Sequence, residues 1–174
     1  MTERTQMQGT DRVVVITGAG SGLGAAVARM VIDIGGSVLL LDVNTGAGTA
    51  MAETLGAKAR FHACDVTNEA AGRAAIAAAQ AEFGRIDALV NCAGVAPGEK
   101  ILGRDGAHRL DSFARAVSIN LIGTFNMLRL AAEVDRCIKG LTLGRHRGKR
   151  AFAAEQQVAA FVCSLLGHRG LRGV

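Results

Sequence analysis

Four glycines and one serine occur together in TGAGSGLG, residues 17–24, directly after the apolar run VVVI. Each glycine costs conformational entropy on folding, so such a cluster indicates a special turn or a close approach by another group. Where a strand turns into a helix, backbone N–H groups and the positive end of the helix dipole favour a bound phosphate. The spacing T-G-x-x-x-G-x-G therefore predicts a phosphate-binding loop; the alternative is an ordinary tight turn.

Asp42 is the second residue with a chemical signature, because it follows the apolar run at 37–41. An acidic side chain about twenty positions beyond a glycine loop is suited to hold the ribose hydroxyls of a dinucleotide. Its charge would repel the 2′-phosphate of NADP, so Asp42 favours NAD as the cofactor. The alternative is that Asp42 only begins a turn.

Alternating strands and helices would bring these two features together. Four apolar runs have the length of buried strands: 13–16, 37–41, 60–64 and 85–90. Three stretches between them have the length of helices: 23–31, 46–55 and 68–83. This order predicts a Rossmann-type, doubly wound α/β fold with a parallel sheet in a single domain. Ligands bind such sheets at the carboxyl ends of the strands, where Asp42, Asp65 and Asn91 are expected.

Five motifs together carry a family resemblance: TGAGSGLG, the terminal Asp42, CDVT at 64–67, NCAG at 91–94 and INLIGTFNMLRLAAE at 119–133. In this order they resemble the short-chain dehydrogenase/reductase family over about residues 11–134. NCAG followed by VAPGEK is similar to one subgroup, the type 2 3-hydroxyacyl-CoA dehydrogenases. The resemblance implies an NAD-dependent oxidoreductase that oxidises the hydroxyl of a 3-hydroxyacyl-CoA or a similar secondary alcohol. It also implies that the fold is incomplete at its C-terminal side.

The resemblance implies a set of cofactor-contacting residues. The phosphate loop would comprise Gly18, Ser21, Gly22, Leu23 and Gly24. Asp42 would hold the adenosine ribose, and Asp65 and Val66 would flank the adenine. The path to the nicotinamide ribose would be lined by Asn91, Cys92, Ala93 and Gly94. Cys92 is then a contact residue rather than a nucleophile, because nothing nearby would depress its pKa.

Asn120 matches the asparagine that holds a relay water in the family; the alternative is a side chain that bonds the backbone and kinks its helix. The family also uses a Tyr-x-x-x-Lys pair preceded by a serine, and the 174 residues contain no tyrosine. We therefore expect no turnover by this chain. A non-catalytic dinucleotide-binding or oligomerisation module is the alternative function.

The charge balance changes near Asp135. Up to that residue the chain has twelve Lys and Arg against fourteen Asp and Glu, whereas 136–174 has eight against one. In one interpretation 135–174 continues the domain in frame, with VAAFVC at 158–163 as a fifth strand and Ser164 as the family's serine. In the other, the reading frame has shifted near Asp135. This tail lacks a recognition-helix pattern, so nucleic-acid binding is not expected.

The sequence predicts an apolar helix at about 112–134, and its pattern bears on whether the chain binds a second subunit. Its apolar residues surround most of the helix axis, which is more than one contact with a sheet would bury. We expect that the chain forms a homo-oligomer through this helix. The alternative is that the helix is apolar without having a partner.

The remaining features indicate an ordinary intracellular protein, and the family resemblance implies a small-molecule substrate. Residues 1–10 are polar, so we expect no secretory signal, no membrane segment and a cytoplasmic location. Four scattered cysteines lack paired ligand spacing, so we expect no metal site.

Overall fold

The computed structural model describes residues 12–104 and 106–135. Its strands are β1 Val13–Thr17, β2 Ser37–Asp42, β3 Ala59–Ala63, β4 Ala88–Asn91, β5 Leu102–Gly103 and β6 Gly106–Ala107. Its helices are α1 Gly22–Asp33, α2 Thr45–Leu55, α3 Glu69–Phe83, α4 Leu110–Val117 and α5 Thr124–Asp135, with a π-helical turn at Ser118–Gly123 between the last two.

The first four strands form a parallel sheet in the order β3-β2-β1-β4. In its centre, Val15 pairs with Leu39 on one side and with Leu89 on the other. Parallel strands joined by helices in this order confirm the predicted Rossmann-type α/β fold. Strands β5 and β6 form a separate antiparallel hairpin.

Helices cover both faces of the sheet, as the apolar runs predict. On one face Ile16 and Leu40 belong to a buried cluster with Ala28 of α1. On the other face Val15, Leu39 and Leu41 pack in a cluster with α3 and α5. Successive residues of β1 thus point to opposite faces, and the carboxyl ends of β1 and β2 are left open between the two helical layers.

Three local features differ from the predicted elements. β4 begins at Ala88 rather than at residue 85, because the Asp87 carboxylate accepts a hydrogen bond of 2.8 Å from the Val13 N–H. The segment between β4 and α4, for which no strand is predicted, contains the β5–β6 hairpin. The single helix predicted at 112–134 begins at Leu110 and is interrupted by the π-helical turn. The predicted fifth strand at 158–163 and Ser164 lie outside the described residues.

Candidate functional site

A cleft of about 690 Å³ opens at the carboxyl ends of the sheet. It is bounded by the glycine loop after β1, by the end of β2, by the loops after β3 and β4, and by α4 with the start of the π-helical turn. Eleven of the twelve residues predicted to contact a cofactor line it: Gly18, Ser21, Gly22, Leu23, Gly24, Asp42, Asp65, Val66, Cys92, Ala93 and Gly94. The predicted residues are therefore brought together in space.

The N-terminus of α1 faces this cleft without a side-chain cap. Asn44 and Asn68 cap α2 and α3, accepting the N–H of Ala47 at 3.1 Å and of Ala71 at 2.9 Å. Ser21, at the same position of α1, makes no such bond within the described residues, and the first turn of α1 contains no acidic residue. The first N–H groups of α1 are thus available to an anion.

The glycines of the loop differ in what requires them. A Cβ at Gly18 would lie 2.7 Å from the Ala93 nitrogen, and one at Gly24 would overlap the Gly18 carbonyl oxygen. These two glycines are explained by close packing inside the protein. Gly22 has a left-handed φ of +53°, which favours glycine, and a Cβ there would have no described atom within 4 Å apart from its chain neighbours and its own helix backbone. The open space at Gly22 fits a ligand that approaches the loop closely.

The carboxylate of Asp42 is oriented by backbone donors. Its Oδ2 accepts the Gly20 N–H at 2.9 Å, and its Oδ1 accepts the Asn44 N–H at 2.9 Å. Each carboxylate oxygen has a further acceptor position, so the group can still accept hydrogen bonds from two hydroxyls. Asp42 is therefore held in a fixed orientation next to the loop that leads into the uncapped end of α1.

The wall formed by Asp65 and Val66 is also braced. The Asp65 Oδ1 accepts the Thr67 backbone N–H at 2.9 Å and the Thr67 hydroxyl at 2.7 Å. Val66 is buried, and its carbonyl oxygen accepts a hydrogen bond of 2.8 Å from the Asn126 side chain. These contacts hold a short apolar surface at the edge of the cleft.

Thr17 joins the ends of β1 and β4 beneath the cleft. Its hydroxyl oxygen accepts the backbone N–H groups of Cys92 and Ala93, both at 3.1 Å. It also donates to the Asn91 Oδ1 at 3.4 Å. Asn91 is accordingly the one predicted contact residue outside the cleft lining, because its side chain is directed to Thr17.

Both cysteines at the cleft are thiols at neutral pH. Burial, with a smaller contribution from Asp65, raises the pKa of Cys64 to about 11. Burial also raises the pKa of Cys92 above its ordinary value. Neither side chain is a thiolate at pH 7, which agrees with a contact role for Cys92.

Asn120 lies in the π-helical turn and bonds the loop after β4. Its Oδ1 accepts the Val95 N–H and its Nδ2 donates to the Val95 carbonyl oxygen, both at 2.8 Å. The side chain therefore binds the backbone of a neighbouring loop and stands next to the cleft rather than in its lining, and its role in holding a relay water stays a prediction. A π-helical turn at such a position is frequent at functional sites.

One face of the helical segment after the hairpin contributes cleft residues that the sequence reasoning missed: Arg115 of α4, and Ser118 and Ile119 of the π-helical turn. Their spacing of three and four residues is the signal, because it places them on one side of a helix. Val43, directly after Asp42, also lines the cleft.

Beside the cleft, Glu99 holds the hairpin loop to the start of α4. Its Oε1 accepts hydrogen bonds from Arg109 at 3.1 Å and from the Ser112 hydroxyl at 2.7 Å. These bonds lower the pKa of Glu99 to about 2. The loop is thus closed by an ion pair at neutral pH.

Within residues 12–104 and 106–135, no helix has both the length and the apolar character needed to cross a membrane. The same residues contain no cluster of three or more His, Cys, Asp or Glu side chains placed to ligate a metal ion.

A family model described as short chain dehydrogenase matches residues 12–141, most of the chain. The chain belongs to the short-chain dehydrogenase family. The match includes the glycine loop, Asp42 and the π-helical turn, which are the features that form the cleft.

Curated relatives within the family are dehydrogenases. The 3-hydroxyacyl-CoA dehydrogenase type-2 of Homo sapiens is 44% identical over 122 residues, which are 69% of this chain and 47% of the relative. The enzyme of the same name from Drosophila melanogaster is 43% identical over 69% of this chain and 48% of the relative. The D-threitol dehydrogenase of Mycolicibacterium smegmatis is 35% identical over 94% of this chain and 62% of the relative. The chain spans about half the length of the type-2 relatives.

A solved structure of the family has the same fold. It is a short chain dehydrogenase/reductase from Burkholderia phymatum in complex with NAD, with 32% identity and a TM-score of 0.67. The superposition covers 73% of this chain and 45% of that one.

Proposed function

We propose that this chain is the NAD-binding part of an oxidoreductase that oxidises the hydroxyl of a 3-hydroxyacyl-CoA or a similar secondary alcohol. The observation that carries the proposal is the uncapped N-terminus of α1 in the same cleft as the Asp42 carboxylate, which accepts the Gly20 N–H in the loop just before α1. The names of the type-2 relatives and the NAD complex of the Burkholderia phymatum structure support this substrate class and this cofactor.

Each part of the cleft has a proposed task. The N–H groups at the start of α1 bind the pyrophosphate, and Gly22 leaves the space for it. Asp42 accepts hydrogen bonds from the adenosine ribose, while Asp65 and Val66 flank the adenine. Residues 92–94 and Asn91 define the path to the nicotinamide ribose. Bound NAD would supply the hydride acceptor.

Asp42 is also the proposed selector of NAD over NADP. Its two oxygens already accept the Gly20 and Asn44 N–H groups, so the carboxylate cannot turn away from a 2′-phosphate. Two negative charges at hydrogen-bonding distance repel each other, so the Asp42 carboxylate would disfavour a 2′-phosphate.

Asn120 and Ser164 are the proposed catalytic residues of this chain. The Asn120 amide is engaged by Val95, which favours a role in fixing the loop that carries Gly94; a relay water would bind the second lone pair of its Oδ1. Ser164 is proposed from the sequence alone. Because the 174 residues contain no tyrosine, we propose that they bind NAD without turnover.

A homo-oligomer through the 112–134 segment is the second proposal, and exposed apolar side chains favour it. Phe113, Ile122 and Phe125 are each more than half exposed in the described residues. A non-catalytic oligomerisation module would use the same surface. A cytoplasmic location and the absence of membrane and nucleic-acid partners remain part of the proposal.

The tail from 136 onwards retains its two interpretations. The alignment with the Mycolicibacterium smegmatis relative covers 94% of the chain and so extends beyond Asp135. This extent favours a tail that continues the domain in frame, with residues 11–134 as its NAD-binding portion.

Titration of the chain with NADH tests the cofactor site. Asp42→Arg and Gly22→Val should each weaken NADH binding at least about tenfold, because one removes charge-assisted hydrogen bonds and the other fills the pyrophosphate space. Asp33→Arg is the matched control, since it makes the same charge change at an exposed position at the end of α1. Unchanged binding in both cleft variants would refute the site. NADH production from a 3-hydroxyacyl-CoA by the 174-residue chain would refute the lack of turnover.

A further inference from the structure

Asn126 is a buried polar side chain that the proposed cofactor contacts leave unexplained. It lies on α5, outside the cleft lining, and is only 6% exposed. A buried amide group needs hydrogen-bond partners for both its oxygen and its nitrogen. The partners of Asn126 connect the wall of the cleft to the first turn of α3.

The orientation of the Asn126 amide is determined by a cation. Its Oδ1 accepts hydrogen bonds from the Arg129 Nη2 at 2.7 Å and the Arg129 Nε at 3.2 Å. Because a guanidinium group only donates, the oxygen must face Arg129 and the nitrogen must face the other way. Nδ2 therefore donates to the Val66 carbonyl oxygen at 2.8 Å.

The connection continues beyond Arg129. Arg129 forms an ion pair of 2.9 Å with Glu69, the first residue of α3. At the other end, a Cβ at Gly123 would lie 2.5 Å from the Val66 Cγ2, so the π-helical turn is in close contact with the Val66 side chain. Val66 is thus held at its carbonyl group by Asn126 and at its side chain by Gly123.

We propose that Asn126 is a positioning residue that places Val66 in the wall receiving the adenine of the dinucleotide, with Arg129 orienting its amide. This inference rests on the proposed function, because it needs an adenine-containing ligand in the cleft. It assigns to α5 a part in cofactor binding although α5 supplies no residue to the cleft lining.

Two arginines provide a matched test. Arg73 and Arg129 both form ion pairs with Glu69 on the surface between α3 and α5, but of the two only Arg129 bonds Asn126. Arg129→Met and Arg73→Met each remove one guanidinium group from this surface. The ligand is ADP-ribose, which has the adenosine and the pyrophosphate but no nicotinamide, and its dissociation constant is measured by calorimetry. Arg129→Met should weaken binding about threefold and Arg73→Met should leave it unchanged.

Asn126→Asp should have a larger effect on binding. The aspartate can still accept hydrogen bonds from Arg129, but its second oxygen would face the Val66 carbonyl oxygen and repel it. The substitution should weaken ADP-ribose binding about tenfold. In a Val66→Ala background the same substitution should change binding less than about twofold, because the side chain that it positions is gone. A merely structural role would lower the melting temperature and weaken binding equally in both backgrounds.

The outcomes separate the two proposals. If the wild-type chain binds ADP-ribose and Arg129→Met binds it as tightly as Arg73→Met does, the positioning role is wrong and the proposed function stands. If the wild-type chain does not bind ADP-ribose, both are wrong. If Asn126→Asp does not fold, the pair of arginine variants decides alone, since both positions are partly exposed.

Discussion

The first β-α-β unit and the region after β4 differ in how completely they are covered. β1 is buried at all five positions and β2 at four of its six. No residue of β4 is fully buried, and the helices that follow it expose Phe113 and Phe125 by 55% and 59%. The adenosine side of the cleft is thus built on two strands that are buried within the described residues, although Leu23 and Met30 of α1 are exposed. The opposite side is bounded by surfaces that a further segment or a second copy would bury.

Breaking the close packing in the first unit should have the largest effect. A Cβ at Gly24 would lie 2.7 Å from the Gly18 carbonyl carbon, so Gly24→Val must push α1 away from the glycine loop. We expect a loss of about 3 kcal/mol in the free energy of unfolding, measured by urea denaturation.

Gly46→Ala is the control for that variant. Gly46 lies in the first turn of α2, and its Cβ would have only the Asn44 Oδ1 within 4 Å, at 3.7 Å. We expect a change within about 0.5 kcal/mol. Equal losses of unfolding free energy in Gly24→Val and Gly46→Ala would mean that the close contact of Gly24 with Gly18 does not stabilise the fold.

Thr17→Val should weaken the junction between the two regions. The substitution keeps the shape of the side chain but leaves the Ala93 N–H without the Thr17 hydroxyl as its acceptor, while the Cys92 N–H keeps only the Thr17 backbone carbonyl oxygen, at 3.2 Å. We expect a loss of about 2 kcal/mol in the free energy of unfolding.

The control is Thr54→Val, which removes an exposed hydroxyl that bonds only the Ala50 carbonyl oxygen of its own helix. Its effect should stay within about 0.5 kcal/mol. If Thr17→Val lowers the free energy of unfolding no more than Thr54→Val does, the Thr17 hydroxyl does not join β1 to β4.

Phe125→Lys tests whether a second copy covers the exposed helices. If the segment 112–134 forms the oligomer, a charge at this exposed position should raise the dissociation constant for self-association at least about tenfold, measured by sedimentation equilibrium. Met30→Lys is the matched control, since Met30 is 65% exposed on α1, in the first unit. A monomeric wild-type chain, or equal effects of the two substitutions, would argue against this interface.

The smallest effect is expected at Glu99. Because bonds from Arg109 and Ser112 lower its pKa to about 2, Glu99 stabilises the folded state when it is ionised. This contribution is complete above the ordinary pKa of about 4.5 and is lost as the pH falls towards 2. Glu99→Gln should therefore reduce the drop in unfolding free energy between pH 5 and pH 3. If the unfolding free energy of the wild-type chain and of Glu99→Gln depends on pH in the same way, the ion pair of Glu99 does not close the loop.

The order of elements could be predicted from the sequence because it depends on local patterns. The apolar runs locate β1 to β4, and α3 is bounded by Asn68 and Gly84, which are residue types that favour the first and last positions of a helix. Asp42 and Asp65 meet in one cleft because parallel strands share their carboxyl ends.

What could not be predicted depends on single side-chain contacts. Asn91 is directed to Thr17 instead of the cleft, and Asn120 bonds Val95 within a π-helical turn. Neither contact has a signature in the spacing of residues, since each joins positions far apart in the chain. The four-residue spacing of Arg115 and Ile119 predicts that they share one face of a helix. Which helical face lines the cleft depends on how α4 packs, and the sequence alone does not give that packing.

A crystal structure of the chain grown with ADP-ribose tests the central claim most directly, namely that the cleft binds the adenosine half of a dinucleotide. The account predicts the adenosine ribose within hydrogen-bonding distance of the Asp42 carboxylate, with the pyrophosphate at the first N–H groups of α1 beside Gly22. ADP-ribose bound elsewhere, or an empty cleft at a saturating concentration of the ligand, would contradict it.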